Sequence, residues 1–293
     1  MAHDEKRLAA AYRHCQRIAR THYENFPTAS LFIRRPLRPA VAAIYAFARH
    51  ADDIADDERR PASVREKELN AWETLLERAR SQPVDHPIML ALGDAIRRHR
   101  LPVEPLHDLL TAFRMDLTIH RYATFGDLRY YCRHSANPVG RLLLALHAID
   151  DQEALEESDA ICTALQLTNF WQDLSRDLPM GRCYLPLEWL EDEGLDHEAL
   201  LAGRPDPQAT GRVIERAIGE TEALFGQGQR LLQRLPWRLR LQIAATLRGG
   251  RAILAATAAN PDPLHRRPVL TGGVWLRMAP RILADALDSP HRR

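Results

Sequence analysis

The stretch from Gln166 to Pro186 constrains this chain most, because it places a polar stripe on a helix that is otherwise apolar. Four polar residues recur here at intervals of three, four and four positions: Gln166, Asn169, Asp173 and Asp177. At about 3.6 residues per turn, these side chains share one face of a helix. The flanking positions are apolar: Leu165, Leu167, Phe170, Trp171 and Leu174. Because so wide an apolar surface indicates a buried helix, we predict that the polar stripe points into an internal cavity.

The two carboxylates of this stripe, Asp173 and Asp177, need a compensating charge in such a cavity. Like charges four residues apart repel each other by about 0.2–0.5 kcal/mol even on an exposed helix, and burial increases that cost. Mg²⁺ prefers oxygen ligands and is usually bound by one or two carboxylates together with substrate phosphates. The stripe therefore predicts a Mg²⁺ site, and the alternative for a lone pair of aspartates is a solvated acidic face.

A second helix repeats the pattern in YAFARHADDIADD, residues 45–57. Asp52 and Asp56 are again four residues apart and share a stripe with Tyr45 and Arg49. Arg49 precedes Asp52 by one turn, where its guanidinium would reach a phosphate oxygen. Two such stripes on otherwise apolar helices favour the metal over the solvated face. We predict that they face each other across a bundle, bind Mg²⁺ around a diphosphate, and leave an apolar cavity for a hydrocarbon.

The rest of the chain also has helical periodicity, and no segment alternates for long as a strand would. Prolines and glycines separate the apolar-periodic segments. We therefore predict an all-α chain and, because no flexible linker divides it, a single domain over residues 1–293, in which residues 260–293 form a connector and a C-terminal amphipathic helix. The predicted helices cover residues 4–21, 38–56, 64–81, 87–99, 103–120, 125–134, 139–149, 154–177, 208–234, 237–257 and 273–287, and residues 179–206 are predicted to be irregular.

Composition and charge argue against a nucleic-acid-binding, a secreted and a membrane-spanning protein. A hydrophobic content of 45% is sufficient for a large core, and a net charge of +1 gives no global field that would attract nucleic acid. The four cysteines form no metal-ligand spacing and follow no secretory signal, so we expect reduced thiols in a cytoplasmic protein. No apolar run approaches the roughly 20 residues of a membrane-spanning helix.

The last predicted helix is amphipathic and leaves two alternatives open. Its apolar residues lie near one face, with Arg277 and Arg281 beside them, and are Val274, Trp275, Met278, Ile282 and Leu283. Such a helix either lies on a bilayer, which would make the protein peripheral at the inner face of the cell membrane, or docks onto the helical bundle.

YAFARHADDIADD and QLTNFWQDLSRDLPMGRCYLP resemble the two aspartate motifs of squalene and phytoene synthases. The resemblance covers nearly the whole chain, from HYENF to RGGRAIL, and the paired motifs with the trailing GRxYLP are highly specific. It implies the all-α isoprenoid synthase bundle with a central cavity, an enzyme that acts on a prenyl diphosphate, and Mg²⁺ as cofactor.

The resemblance also implies roles for individual residues. Those matching the Mg²⁺-binding positions are Asp52, Asp56, Asn169, Asp173 and Asp177. Those matching substrate or diphosphate contacts are Tyr45, Arg49 and Gln166, together with His22 and Asn25 of the segment that matches a diphosphate-binding loop. Tyr131 matches a family tyrosine that assists proton or cation handling. Arg182, just past the second motif, either closes over the diphosphate or pairs with Asp177.

Departures from the family pattern narrow the expected reaction. Gln172 stands where the family commonly has arginine, Gly250 where tyrosine is frequent, and Asn25 where many members have serine. Losing an arginine and a tyrosine near the cavity would weaken binding of a second diphosphate and open space for water. Together with ENFPTAS and SANPVG, these features look most like the HpnC type of bacterial hopanoid pathways. That resemblance implies conversion of presqualene diphosphate to hydroxysqualene, between a presqualene diphosphate synthase and a hydroxysqualene reductase.

Two classes of function remain open from the sequence. One is a Mg²⁺-dependent prenyl enzyme that forms hydroxysqualene or, alternatively, condenses farnesyl diphosphate head to head to presqualene diphosphate, squalene or phytoene. The other is a catalytically silent helical interaction protein. Intact acidic motifs argue against the silent alternative, since buried carboxylates without a role are costly.

Overall fold

The protein is described by a computed structural model that covers residues 2–21, 33–270 and 272–287. In these ranges the regular secondary structure consists of helices and one isolated bridge between Arg121 and Cys183, which confirms the all-α prediction. In the same ranges no helix is both long and apolar enough to cross a membrane. The α-helices are α1 (Ala2–Thr21), α2 (Arg38–Ala55), α3 (Ala62–Ser81), α4 (Pro87–His99), α5 (Glu104–Asp116), α6 (Phe125–Ser135), α7 (Asn137–Leu146), α8 (Gln152–Gln172), α9 (Leu174–Asp177), α10 (Leu187–Asp192), α11 (His197–Leu201), α12 (Pro207–Gly228), α13 (Trp237–Ala258) and α14 (Gly272–Leu287).

These helices group into two compact units. The first unit contains the chain up to Thr118 together with Pro138–Asp151, and the second contains Ile119–Asn137 and the chain from Gln152 onward. The sequence-based prediction of a single domain, like that of two motifs facing each other across a cavity, stays a prediction.

The core of the first unit is built around α2. This helix packs against α1, α3, α4 and α5, and its alanines allow close approach, because Ala43, Ala46 and Ala51 are completely buried. Phe47 is also completely buried and stacks on Trp72 of α3, with ring centroids 5.8 Å apart. The tight packing of one face of α2 fixes the direction of its polar stripe.

The core of the second unit is built around α8. This helix packs against α6, α12 and α13, and α13 in turn packs against α14. Glycines permit the closest approaches, since a Cβ atom added at Gly228 would lie 2.3 Å from Cγ1 of Ile161. A Cβ atom at Gly250 would lie 2.7 Å from Cδ2 of Leu165 and 2.8 Å from Cζ of Phe225. The missing tyrosine at position 250 therefore leaves no open space there, in contrast to the sequence-based expectation.

The amphipathic C-terminal helix packs within the second unit. Asp285 of α14 accepts hydrogen bonds of 2.6 and 2.8 Å from Arg248 of α13. Val274, Met278 and Ile282 are half-buried, whereas the side chains of Leu283 and Leu287 stay exposed. The face that the sequence marked as apolar is thus largely used for packing on the helical unit.

Candidate active site

The first aspartate motif lies at the C-terminal end of α2. The backbone N–H of Asp56 donates to the carbonyl oxygen of Asp52 at 2.9 Å, so helical spacing persists to Asp56, the last residue of the polar stripe. Arg65 donates to the carbonyl of Ala55 and so caps the same end of the helix. Because a helix C-terminus carries partial negative charge, two carboxylates at this end are electrostatically unfavourable until a cation joins them.

Arg49 is the internal counter-ion of this motif. Its guanidinium binds Asp52 at 3.0 Å and Asp53 at 2.5 Å. Burial raises the pKa of Asp52 to about 6, and the charge of Asp56 acts in the same direction, although Arg49 opposes both. One arginine therefore does not fully compensate the acidic stripe. Tyr45, one turn before Arg49, is half-buried, and burial raises the pKa of its hydroxyl.

The second aspartate motif continues from α8 into α9 through a bend. The sequence predicts an unbroken helix from 154 to 177, but the helix is interrupted at Asp173, whose φ and ψ are −98° and 11°. Hydrogen bonds of 2.9 Å from the N–H of Asp173 to the carbonyl of Asn169, and from the N–H of Asp177 to the carbonyl of Asp173, carry the four-residue spacing across the bend. Asn169 is exposed and Gln166 is half-buried.

The carboxylate of Asp173 is bound by an arginine that the sequence analysis did not single out. Arg267 contacts Oδ1 of Asp173 through Nε and lies 3.3 Å from Oδ2 through Nη2. Arg176 is more distant, at 3.8 Å from Oδ1. Arg267 belongs to the connector and is 94 residues away along the chain, so helical periodicity contains no signal for this contact.

Asp177 is less well compensated than Asp173. Burial raises the pKa of Asp177 to about 6, and the charge of Asp173 adds to the shift, whereas Arg182 and Arg176 lower it. The backbone N–H of Arg182 also donates to the carbonyl of Asp177 at 3.0 Å. Arg182 therefore lies near Asp177, and both roles considered for it, closing over the diphosphate and pairing with Asp177, stay predictions.

An aromatic cluster lies against the second motif. Tyr131 of α6 is 6% exposed, and its ring centroid is 6.1 Å from that of Phe170 and 5.6 Å from that of Tyr122. Phe170 stacks on Tyr184 at 3.7 Å with an interplanar angle of 7°. The sequence identified Tyr131 but not Tyr122 or Tyr184, although Tyr184 is the tyrosine of GRxYLP. These four stacked or tilted rings form a largely buried aromatic wall, and aromatic π-faces attract a cation.

The aspartate pairs fit a divalent cation, although neither is a closed metal site. Within the described ranges, no group of three or more His, Cys, Asp or Glu side chains forms a metal-binding cluster. Mg²⁺ does not require one, because it keeps waters and shares its coordination with substrate phosphates. Burial, and to a smaller extent the neighbouring carboxylate, raise the pKa values of Asp52 and Asp177, and a bound cation would offset both effects.

Two residues predicted to contact the diphosphate, His22 and Asn25, lie outside the described residues.

Two cavities lie in the described part of the chain. A cavity of about 490 Å³ adjoins the first motif and is lined by Asp53, Asp56, Asp57, Glu58 and Arg59. A larger cavity of about 1000 Å³ lies in the second unit around the start of α12, and none of the predicted site residues lines it.

Comparisons with known proteins agree with the motifs. A family model described as squalene/phytoene synthase matches residues 19–273. The hydroxysqualene synthase of Rhodopseudomonas palustris is 36% identical over 255 residues, which are 86% of this chain and 85% of that protein. The phytoene synthase of Pseudescherichia vulneris is 31% identical over 271 residues, which are 87% of this chain and 85% of that protein.

Comparison with solved structures gives the same answer for the fold. The crystal structure of squalene synthase HpnC from Alicyclobacillus acidocaldarius has a TM-score of 0.82 and 40% identity, and covers 87% of this chain and 95% of that one. The prediction of an isoprenoid synthase helical fold is thus confirmed. Because the family model spans both aspartate motifs and most of the chain, the protein belongs to the squalene/phytoene synthase family.

Proposed function

We propose that this protein converts presqualene diphosphate to hydroxysqualene. The observation that carries the proposal is the pair of aspartate motifs, because in each of them two carboxylates stand four residues apart on a helical turn and burial raises the pKa of one to about 6. Carboxylate pairs of this kind can share Mg²⁺ with a substrate diphosphate, which is the leaving group of the proposed reaction. The similarity to a hydroxysqualene synthase over 86% of the chain supports this choice among the reactions of the family.

The carboxylates of Asp52, Asp56, Asp173 and Asp177, with the amide oxygen of Asn169, are the groups that would hold Mg²⁺. Mg²⁺ supplies positive charge that stabilises the departing diphosphate. Arg49 and Arg182 add guanidinium donors beside the same carboxylates, and these can transfer to diphosphate oxygens. Tyr45 and Gln166, both half-buried on the same stripes, are proposed to orient the substrate.

The hydrocarbon chemistry requires an apolar, aromatic environment. The carbon–oxygen bond to diphosphate breaks, and the leaving group keeps the electron pair. The cyclopropylcarbinyl cation rearranges beside Tyr131 and Phe170, where each cation–π contact contributes about 0.5–2 kcal/mol. A water oxygen then bonds to the carbon cation and releases its proton, so the sequence of steps consumes no reductant.

Two other aromatic residues of the motif helices, Phe47 and Trp171, are core residues. Phe47 is fully buried against Trp72, and Trp171 is 1% exposed with its indole N–H bound to a threonine. Their contribution is packing, which leaves the cluster around Tyr131 as the proposed cation-stabilising wall.

Product analysis tests the proposal. Purified protein with Mg²⁺ should turn presqualene diphosphate into a C30 alcohol without NADPH, and adding NADPH should not divert the product to squalene. The alcohol should contain ¹⁸O when the reaction is run in labelled water. Alcohol without the label would overturn water capture.

The same experiment separates the alternatives. Farnesyl diphosphate alone should give little product. Efficient formation of presqualene diphosphate or phytoene from an allylic diphosphate would replace the proposal with head-to-head condensation, and NADPH-dependent squalene would identify a complete squalene synthase. Failure to release diphosphate from any of these substrates would support the silent interaction protein.

The proposed reaction requires one enzyme that acts before it and one that acts after it. Another synthase must supply presqualene diphosphate, and a reductase must consume an allylic C30 alcohol. We propose a cytoplasmic protein that is peripheral at the inner face of the membrane, since such an alcohol partitions into lipid. The exposed Leu283 and Leu287 of α14 support this location.

A further inference from the structure

The side chain of Gln172 joins the end of α8 to the connector. Gln172 is only 5% exposed, and its Nε2 donates a 2.7 Å hydrogen bond to the carbonyl oxygen of Pro268, 96 residues away in the chain. This residue stands beside Asp173, in the position where the sequence analysis noted a lost arginine.

Arg267, the residue before Pro268, brings a positive charge to Asp173. Arg267 binds both carboxylate oxygens of Asp173 through Nε and Nη2. The planar guanidinium in this two-point contact fixes the orientation of the carboxylate as well as compensating its charge. The side chains are partly buried, with 30% of Arg267 and 24% of Asp173 exposed, so solvent screens the pair incompletely.

Local hydrogen bonds stabilise the first part of the connector, residues 260–266, whereas the contacts with Asp173 and Gln172 lie at Arg267 and Pro268. Residues 260–270 contain no α-helix, and their local bonds include the 2.6 Å contact from Nδ2 of Asn260 to the carbonyl of Arg266. Proline has no N–H, so its carbonyl is the one backbone hydrogen-bonding group of Pro268. The ring also restricts the residue before it, Arg267, to extended conformations. Holding the Pro268 carbonyl therefore fixes the backbone from which the Arg267 side chain extends.

We infer that Gln172 is a positioning residue, which tethers the connector across the second aspartate motif and holds Arg267 on Asp173. The second motif therefore keeps a positive charge even though position 172 is glutamine where the family commonly has arginine. Arg267 of the connector supplies that charge. This inference rests on the proposed function in one respect, namely that Asp173 binds a metal–diphosphate.

Three variants test the tether. Gln172→Leu removes the donor while keeping a similar volume, and Arg267→Gln removes the charge while keeping the tether. Gln242→Leu is the matched control, because Gln242 is a buried glutamine of α13 at 4% exposure whose Oε1 accepts no hydrogen bond from the described part of the chain. The measurements are thermal melting, hydrogen–deuterium exchange of residues 260–270, and calorimetric binding of inorganic pyrophosphate in the presence of Mg²⁺.

The tether predicts a specific pattern of results. Gln172→Leu should accelerate amide exchange in residues 260–270 by roughly tenfold, since it removes one hydrogen bond and leaves a carbonyl unpaired. Both Gln172→Leu and Arg267→Gln should weaken pyrophosphate binding by roughly tenfold, and the double variant should be little weaker than either, because both act through one contact. Gln242→Leu should change neither measurement.

Other outcomes would overturn the inference. Unchanged exchange in the connector of Gln172→Leu, or fully additive losses in the double variant, would show that Gln172 does not position Arg267. A lower melting temperature with normal pyrophosphate affinity would make it an ordinary core residue. Because connector exchange is measured without substrate, it tests the tether even if presqualene diphosphate proves not to be the substrate.

Discussion

The indole N–H of Trp171 donates a 2.9 Å hydrogen bond to the hydroxyl oxygen of Thr221, and both side chains are almost fully buried. The bond joins α8, which carries the second aspartate motif, to α12. The hydroxyl of Thr221 in turn donates to the carbonyl of Ala217 at 2.7 Å. This tryptophan of the NFWQD sequence thus orients the motif helix through the core.

Thr221→Val should lower the free energy of unfolding by about 1–3 kcal/mol, because it leaves the indole N–H of Trp171 buried without an acceptor. Thr221→Ser retains the hydroxyl and should cost only about 0.8 kcal/mol for the lost methyl group. Urea denaturation measures both. Equal losses in the two variants would mean that packing, and not the hydrogen bond, stabilises this contact.

Two glycines of α12 should respond oppositely to alanine. Gly228→Ala should destabilise the protein by about 1–3 kcal/mol through overpacking, since the new methyl would meet Cγ1 of Ile161 at 2.3 Å and the carbonyl of Glu157 at 2.9 Å. At Gly219 an added Cβ would meet no described atom within 4 Å beyond its own helical turn, so Gly219→Ala should stabilise the helix by about 0.8–1 kcal/mol. Denaturation midpoints that move in the same direction would contradict the close packing of α8 and α12.

His107 should make stability depend on pH. Its ring nitrogens bind Glu73 at 2.7 Å and Glu77 at 2.8 Å. Burial lowers the pKa of His107, but these two carboxylates outweigh burial and raise it above its ordinary value. The stabilisation is therefore complete below the unfolded pKa of about 6.5 and is lost as pH rises through the folded pKa.

The comparison of wild type with His107→Gln checks this sign. The difference in unfolding free energy between the two proteins should be larger at pH 6 than at pH 9. A difference that is constant over this range would show that the imidazolium does not contribute to stability. A larger difference at pH 9 would show that protonation of His107 destabilises the protein.

Asp52→Asn and Asp173→Asn should each lower kcat/KM by roughly 100-fold or more, because each removes a charge from the site proposed for Mg²⁺ and diphosphate. The fold should survive, since asparagine keeps the shape and relieves repulsion within each pair. Circular dichroism and turnover at ordinary Mg²⁺ concentrations measure the two effects. Asp85→Asn is the control, because Asp85 is fully exposed in its ion pair with Arg7. Activity near the wild-type value in either variant would refute the assignment.

Most helices were predictable because each buries one apolar face with a period near 3.6. The errors lie where local and tertiary preferences compete. The segment 179–206 was predicted to be irregular from its prolines and glycines, yet it contains α10 and α11. Asp196 caps α11 by accepting from the N–H groups of Glu198 and Ala199, a signal that was present in the sequence but was outweighed by the neighbouring glycines.

Contacts between site residues on the same helix were predictable from the sequence, whereas contacts between residues far apart in the chain were not. Spacing along one helix groups Arg49 with Asp52, and the structure places their side chains in contact. No periodic pattern relates Gln172 to Pro268 or Asp173 to Arg267, since these pairs depend on how an irregular connector returns to α8. The same reason explains Tyr184, whose stacking on Phe170 requires the chain beyond the motif to fold back.

The exposed leucines of α14 give the last prediction, which concerns the membrane. Leu283 and Leu287 are 52% and 79% exposed and four residues apart, so they share a face of the helix, with Arg281 nearby in sequence. Insertion of these two side chains into a bilayer, with arginine near anionic headgroups, is the arrangement of an interfacial helix. Leu283→Ser with Leu287→Ser should therefore reduce flotation with anionic liposomes by roughly tenfold, given the apolar area lost from the lipid contact.

The control for this experiment is Val64→Ser, because Val64 of α3 is exposed at 39% but lies in the first unit. It should float as the wild type does. Neutral liposomes should capture the wild type less well than anionic ones, since arginine contributes only where the surface is negative. If the double leucine variant floats as well as the wild type, α14 only packs on α13. The prediction that α14 binds the membrane is then wrong.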